Sequence, residues 1–187
     1  MIVISGTPGV GKTSVAKALA ERLNGVYVNL SELVLKNKLY IEYDYERKSY
    51  IIDEEKVQKE IMRISEKNND RYVIIDSHYG ELAPKEIVIK AFIIRYNPLM
   101  LARRLKLRGW DEEKIKENVQ AEILGVCTIN ALKEYGAEYV YEIDGTNKSV
   151  DEILKEIIEV LSSRRKVRME FIDWLSILSL KELSKYL

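Results

Sequence analysis

Residues 6–13 read GTPGVGKT and directly follow an apolar run, residues 1–4. The spacing G-x-x-x-x-G-K-T, placed between a short apolar strand and a helix, is typical of a phosphate-binding loop. A helix is expected next because Val15, Leu19 and Leu23 recur on one face. The glycines let backbone N–H groups turn toward one point, and the helix N-terminus adds its partial positive charge. The sequence therefore constrains the chain to a strand–loop–helix unit that surrounds an anion.

The loop residues have distinct expected roles in holding a nucleotide. The Lys12 ammonium would reach the β- and γ-phosphates, and the Thr13 hydroxyl would ligate Mg²⁺. The residues expected to contact the nucleotide are Gly9, Val10, Gly11, Lys12, Thr13 and Ser14. We therefore predict ATP and Mg²⁺ as cofactors, with Lys12 acting in catalysis.

The composition indicates a globular chain with a densely charged surface. Its 187 residues are 47% hydrophobic and 32% charged, which is enough for one domain with a core. The 30 Lys and Arg residues balance 30 Asp and Glu residues, so non-specific nucleic-acid binding by the whole chain is disfavoured. The single cysteine, Cys127, rules out an internal disulfide framework. Since no apolar run approaches about 18 residues, we expect a cytoplasmic protein with no membrane contact.

Strands and helical patterns alternate along the chain. The expected strands are residues 1–4, 26–29, 72–76, 91–95 and 139–143. The Tyr-rich residues 40–50 form a loop or a small inserted module, and one helix is expected from Asp111 to about Tyr135. Strands this apolar predict a parallel sheet that is covered on both faces. The predicted fold is therefore a five-stranded, doubly wound α/β domain.

The end of the third expected strand carries two residues that are candidates for the chemistry, one in its last position and one just beyond it. Asp76 ends that strand, where a phosphate-loop NTPase places its second Mg²⁺ carboxylate. His78 is the only histidine of the chain and shares the direction of Asp76 by strand alternation. It could orient an attacking water or sense the γ-phosphate, or it could be structural.

Basic residues before Gly109 could close over a phosphoryl group. Arg104 and Arg108 share a helix face, and Arg108 adjoins the glycine, which suits a mobile clamp. Arg103 is better explained as part of a solvated basic face. Two further features stay open at this point: Arg95 is structural or functional, and residues 144–148 follow the last strand where they could line the adenine.

The C-terminal residues differ from the rest of the chain. Residues 164–168 (RRKVR) are basic, and apolar residues then recur near helical spacing up to Leu187. An amphipathic C-terminal helix is expected within residues 164–187. It is either docked on the domain or free to bind a partner or a second copy.

Taken together, these motifs resemble the nucleoside-monophosphate kinases, and more closely the adenylate kinase isoenzyme six family, an archaeal and eukaryotic group of small-subunit ribosome-biogenesis NTPases. The matching pieces are residues 6–13, 39–44 (LY…YD), 52–57 (IDEEKV), Asp76-x-His78, 104–110 (RL…RGW) and 117–123 (ENVQAEI). The resemblance covers roughly residues 1–161. Asp-x-His and the last two segments are its most specific parts.

The resemblance implies a P-loop core over residues 1–163, a monophosphate-binding module near 29–52 and a short lid near 107–117. It implies adenylate kinase and ATPase activity, with ATP, ADP and AMP as ligands. It also implies binding to a basic ribosomal protein of the small-subunit platform, and an indirect or local contact with rRNA. The arginine that usually holds the AMP phosphate aligns with Leu35 here, with Lys36 and Lys38 nearby.

Three functions therefore remain open from the sequence. The first is phosphoryl transfer from ATP to AMP, or to water, during small-subunit assembly. The second is a kinase for another nucleotide or small metabolite, with the Tyr-rich residues 40–50 setting the choice. The third is an assembly factor in which nucleotide switches partner affinity, supported by the zero net charge with clustered acids such as residues 111–113.

Overall fold

A five-stranded parallel sheet forms the centre of the protein. The computed structural model describes residues 1–45, 49–162 and 171–187. The strands are β1 Ile2–Ser5, β2 Val26–Asn29, β3 Tyr40–Asp44, β4 Ser49–Ile52, β5 Val73–Asp76, β6 Lys90–Arg95 and β7 Val140–Asp144. The main sheet has the order β2-β5-β1-β6-β7, with every pair parallel. This confirms the predicted α/β fold with its five-stranded sheet.

Helices cover both faces of the sheet. They are α1 Lys12–Arg22, α2 Leu30–Asn37, α3 Glu54–Lys67, α4 Pro98–Leu107, α5 Glu112–Ile123, α6 Val126–Tyr135, α7 Val150–Ser162, α8 Trp174–Ile177 and α9 Leu180–Leu183. Short side chains cap several of them: Asp53, Asn97 and Asp111 each accept a hydrogen bond from a first-turn amide. In the described ranges, none of these helices is long and apolar enough to cross a membrane.

The core has two halves because successive strand residues face opposite sides of the sheet. Ile2 and Ile4 pack with α1, α4, α5 and α7 on one side. Val3 packs with α2, α3 and α6 on the other. The candidate site lies at the carboxyl ends of β1 and β5, which pair in parallel.

The Tyr-rich segment forms a small module, which was one of the two alternatives expected from the sequence. β3 and β4 pair as an antiparallel hairpin that is separate from the main sheet. Its tyrosine rings contact one another, with centroids of Tyr40 and Tyr50 4.4 Å apart and those of Tyr43 and Tyr50 5.0 Å apart. The hairpin and α2 together contain most of residues 29–52, the range of the expected monophosphate-binding module.

The prediction of a single helix from Asp111 to about Tyr135 is wrong, because this range contains two helices. α5 ends before Gly125, which has φ 66° and starts α6. A Cβ atom there would lie 3.4 Å from Nη1 of Arg95. The buried guanidinium of Arg95 lies beside this break, and the carbonyl of Glu122 accepts from its Nη2 at 2.7 Å.

The prediction of one amphipathic C-terminal helix is also wrong. The basic run, residues 164–168, lies outside the described residues. α8 and α9 are four residues each. They are separate because Leu178 is extended (φ −84°, ψ 146°) and Ser179 begins a new capping box with Glu182. Trp174 and Leu178 are buried in the core, so this segment is docked on the domain.

Candidate nucleotide-binding site

The glycine-rich loop joins β1 to α1 and is shaped by its three glycines. Gly6, Gly9 and Gly11 have φ angles of 145°, 97° and 108°, which favour glycine. A Cβ atom on Gly6 would lie 2.4 Å from the Ile94 carbonyl oxygen, and one on Gly9 would lie 2.7 Å from the Leu105 side chain. A side chain at either position would therefore displace the loop or the residues beneath it.

The loop leaves several backbone N–H groups unused. Across the described ranges, the amides of Gly9, Gly11, Lys12 and Thr13 donate to no protein acceptor. Gly11 is the N-cap of α1 and has no capping side chain, so the first turn keeps its donors open. Thr13 and Ser14 are exposed in the same turn. The arrangement suits an anion with several oxygen acceptors.

Arg104 supports the loop from α4. Its Nη1 donates to the carbonyl oxygens of Gly9 at 3.2 Å and Val10 at 3.4 Å. Its Nη2 donates to the Tyr96 hydroxyl at 2.6 Å, and its guanidinium lies 4.1 Å from the centre of the Tyr96 ring. Arg104 thus fixes the two peptide groups at the turn of the loop, a role that the sequence did not indicate.

The other two arginines of α4 are exposed and differ in position. Arg108 is the C-cap of α4, directly before Gly109 with φ 76°. Burial lowers the pKa of Lys12, and the Arg108 charge adds to that effect, so Arg108 lies within electrostatic reach of the loop. Arg103 instead lines a cavity of about 560 Å³ between α4, α5 and the C-terminal segment.

Asp76 lies beside the loop, and its two carboxylate oxygens differ in their hydrogen bonding. In the parallel register, Asp76 pairs with Ile4 of β1 and with Asn29 of β2. Its Oδ2 accepts from the Tyr27 hydroxyl at 2.9 Å and from the Asn29 amide at 3.5 Å. Its Oδ1 is buried and, within the described residues, has no hydrogen-bond partner. A buried carboxylate oxygen without a donor is costly unless a cation or water meets it.

The Lys12 ammonium is the positive charge that interacts electrostatically with the Asp76 carboxylate. Burial lowers its pKa, and the Asp76 carboxylate opposes that shift. Among the described residues it makes neither a hydrogen bond nor an ion pair. It is therefore a desolvated cation that is available to a ligand at the loop.

His78 follows Asp76 in a turn held by Ser77. The Ser77 amide donates to the Ile4 carbonyl at 3.2 Å, and its hydroxyl accepts from the Tyr79 amide at 2.8 Å. Burial, with a smaller contribution from the Lys12 charge, lowers the pKa of His78 to about 4, and the Asp76 charge partly opposes both effects. The imidazole is therefore neutral at pH 7, with one nitrogen able to donate and the other able to accept.

Cys127 lies behind this turn, with its thiol 3.7 Å from the His78 carbonyl oxygen. Burial raises the pKa of the thiol to about 11, so it stays protonated at neutral pH. The Cys127 thiol is therefore a partly buried packing group and not a reactive thiolate at neutral pH.

The residues present fit a magnesium ion that is shared with phosphate oxygens. Mg²⁺ keeps several waters and usually takes one or two protein ligands plus substrate phosphates. Thr13 offers an exposed hydroxyl, and Asp76 offers Oδ1, a buried carboxylate oxygen with no hydrogen-bond partner among the described residues. In the described part of the chain, no cluster of three or more His, Cys, Asp or Glu side chains could hold a metal ion.

The loop after β7 lies at the same edge of the sheet. The Asp144 carboxylate accepts from the Thr146 amide at 2.9 Å, and the Thr146 hydroxyl accepts from the Asn97 amide at 2.8 Å. The Gly145 amide donates to the Arg95 carbonyl at 2.9 Å. These bonds tie residues 144–148 to the start of α4.

A buried ionic network beneath the loop was missed by sequence reasoning. Arg95 pairs with Glu122 (Nε to Oε1, 2.8 Å) and with Glu142, and all three side chains are at most 2% exposed. Glu122 Oε2 accepts from the hydroxyl of Thr7, inside the glycine-rich loop, at 2.6 Å. Trp174 donates to Glu122 Oε1 at 3.2 Å. The only sequence signal was the position of Glu122 in the ENVQAEI segment.

Comparison with known proteins places the chain in a family. A family model described as an AAA domain matches residues 2–125. The Methanocaldococcus jannaschii protein named "Putative adenylate kinase" is 42% identical over 173 residues, 92% of each chain. A protein of the same name from Pyrococcus abyssi is 38% identical over 174 residues, 93% of this chain and 91% of that one.

Solved structures share the fold at low sequence identity. Shikimate kinase from Bacteroides thetaiotaomicron has a TM-score of 0.55 at 19% identity, covering 87% of this chain and 98% of that one. Shikimate kinase from Aquifex aeolicus has a TM-score of 0.51 at 18% identity, covering 86% and 94%. The chain therefore belongs to the AAA-domain family and, within it, to the adenylate kinase-like P-loop proteins.

Proposed function

We propose that the protein is a Mg²⁺-dependent phosphotransferase that moves the γ-phosphoryl group of ATP to AMP, and that it also hydrolyses ATP. The observation that carries the proposal is the Lys12 ammonium, which is desolvated and has no partner in the described ranges, at a loop with open N–H groups. The names of the archaeal relatives support a nucleotide kinase.

Each residue of the site has a role in this reaction. The open amides of Gly9, Gly11, Lys12 and Thr13 hold the β- and γ-phosphates, and the Lys12 ammonium neutralises charge as the γ-phosphoryl group leaves. Arg108 closes over the same group from residues 107–117, the proposed lid, because it stands beside the Gly109 turn. Mg²⁺, held by Thr13 and through Asp76, would add positive charge at the β- and γ-phosphate oxygens. Positioning and electrostatics therefore supply most of the rate.

His78 governs the side on which the acceptor enters. A neutral imidazole can accept a proton from an attacking water or orient it, whereas an imidazolium could not accept. AMP brings its own nucleophile, a phosphate oxygen, so transfer to AMP depends less on His78. The acceptor phosphate lies in the module 29–52, where Lys36 and Lys38 replace the usual arginine contact.

The test is an acceptor panel under one set of conditions. ATP and Mg²⁺ are incubated with AMP, GMP, CMP, UMP or no acceptor, and the products are separated by ion-exchange chromatography. ADP formed fastest with AMP supports the adenylate kinase assignment, and phosphate released without acceptor supports the ATPase. A faster reaction with another monophosphate would make that nucleotide the acceptor.

A second function is proposed from the Asp76-x-His78 motif and the acidic start of α5. We propose that the chain is of the isoenzyme six type and binds a basic ribosomal protein of the small-subunit platform, with at most local contact to rRNA. Glu112 and Glu113 are exposed within the proposed lid and suit a basic partner. Purified platform protein should bind in an ATP-dependent way, and the double variant Glu112→Lys/Glu113→Lys should weaken it. Equal binding by that variant would remove the acidic surface from the account.

A further inference from the structure

The C-terminal segment reaches the nucleotide loop through one buried carboxylate. Glu122 Oε1 accepts from Arg95 Nε (2.8 Å), the Tyr96 amide (3.1 Å) and Trp174 Nε1 (3.2 Å). Its Oε2 accepts from the Thr7 hydroxyl at 2.6 Å. An ionised carboxylate has about four lone-pair sites. Trp174 therefore supplies one of the four donors that Glu122 accepts, and Thr7 of the loop supplies another.

A second contact fixes the same segment to the network. The Ile172 amide donates to Glu142 Oε2 at 2.6 Å, and the Ile172 carbonyl accepts from Arg95 Nη1 at 3.3 Å. Glu142 also accepts from Arg95 and from the Thr128 hydroxyl. The backbone of Ile172 thus contacts both Glu142 and Arg95, and of these two side chains Arg95 is the one that contacts Glu122.

Burial makes these contacts consequential. Glu122 is 1% exposed and Trp174 is 4% exposed, so water cannot replace a lost donor without a rearrangement. Burial raises the pKa of Glu122, and the Arg95 charge and the bonded donors oppose that shift. Loss of the Trp174 donor therefore destabilises the ionised form of Glu122 and weakens its hydrogen bond with the Thr7 hydroxyl.

We propose that Trp174 and Glu122 are positioning residues for the nucleotide: the docked segment 171–178 fixes the Glu122 carboxylate, which fixes Thr7 and the conformation of the phosphate-binding loop. Docking of the segment and binding of nucleotide are then coupled in both directions. The inference rests on the proposed nucleotide site, and it adds that residues following the α/β core complete that site.

The experiment measures Mg²⁺–ADP affinity by isothermal titration calorimetry on the full chain. Trp174→Phe keeps most of the ring packing and removes the N–H donor. Thr128→Val is the matched control, because it removes one buried donor from Glu142, which does not touch the loop. We expect a threefold to tenfold higher Kd for Trp174→Phe and less than a twofold change for Thr128→Val. Melting curves record the loss of stability in both variants.

A double-variant cycle tests the route through Glu122. Thr7→Val alone should weaken ADP binding, and adding Trp174→Phe should weaken it by less than the product of the single effects, since both act on one carboxylate. An unchanged Kd in Trp174→Phe, an equal loss in Thr128→Val, or multiplicative effects in the cycle would each overturn the inference.

A measurement on the wild-type chain covers the case in which a variant does not fold. ADP should slow hydrogen–deuterium exchange in a peptide spanning residues 171–178, and unchanged exchange at saturating ADP would overturn the inference. If the wild-type chain bound no ADP, the proposed function itself would fail. ADP binding without an effect on the segment would refute the coupling alone.

Discussion

The buried guanidinium of Arg95 offers the sharpest test of what holds the candidate site together. Arg95 donates to the side chain and the backbone carbonyl of Glu122, to Glu142 and to the Ile172 carbonyl. In Arg95→Met, two carboxylates that are 1% and 0% exposed lose their cation. Breaking a buried ion pair on one side costs about 3–5 kcal/mol. That is a large part of the roughly 5–15 kcal/mol that stabilises a typical domain.

The assay is urea unfolding followed by circular dichroism, with a melting curve beside it. For a chain of this length each kcal/mol moves Tm by about 2–4 °C, so Tm should fall by roughly 6–20 °C. Arg103→Met is the matched control, because Arg103 is exposed on α4 and its loss should cost no more than about 0.5 kcal/mol. Equal stability of the two variants would refute the structural role of the network.

The pH dependence has a defined sign. Burial already raises the pKa of Glu122 in the folded protein, and removing Arg95 raises it further. The folded state then binds more protons than the unfolded state between the two pKa values, so the unfolding free energy rises as pH falls. The deficit of Arg95→Met against wild type should therefore shrink from pH 7 to pH 5. A deficit that stays constant or grows over this range would contradict the assignment of buried carboxylates.

Three further changes act on the loop and its neighbours. Asp76→Asn should weaken Mg²⁺-dependent turnover more than ADP binding measured without Mg²⁺, and equal losses would indicate a structural residue. His78→Ala should slow ATP hydrolysis by about 10²–10⁴-fold while sparing transfer to AMP. The pKa of His78 is about 4 in the folded protein and 6.5 when the side chain is exposed in the unfolded chain, so the unfolded state binds more protons between these values. The wild-type chain should therefore lose stability as the pH falls from 6.5 to 4, and His78→Ala should lose less. Parallel slopes of stability against pH would refute burial of the ring. Gly6→Ala should lower both Tm and ADP affinity, since its Cβ would meet the Ile94 carbonyl, and a wild-type Tm would show that the loop can shift freely.

The sheet was predictable because its signals are local. Each strand is an apolar run bounded by polar or glycine residues, and the phosphate-loop motif fixes what joins β1 to α1. Asp76 and Lys12 followed from the same logic, since strand ends and loop motifs place side chains at one edge of a parallel sheet. The structure brings Lys12, Asp76 and His78 within mutual electrostatic reach, while their catalytic roles remain predictions.

The parts that sequence reasoning missed depend on contacts between distant positions. Arg95, Glu122 and Glu142 look like ordinary charged residues, and only the fold shows that they are buried together. The break between α5 and α6 lies at Gly125, whose positive φ favours glycine, and the Arg95 guanidinium lies beside it. An apolar pattern near helical spacing also cannot distinguish one helix from two short ones, which here depends on the extended backbone of Leu178.

The central claim is that Lys12 and its loop bind ATP and transfer the γ-phosphoryl group. The most direct measurement is ³¹P NMR of ATP, Mg²⁺ and AMP with wild-type protein and with Lys12→Ala. The account predicts growth of ADP resonances with the wild type, and a loss of several kcal/mol of transition-state stabilisation, about a thousandfold or more in rate, with the variant. Turnover by Lys12→Ala at the wild-type rate, or no reaction of ATP with the wild type, would contradict it.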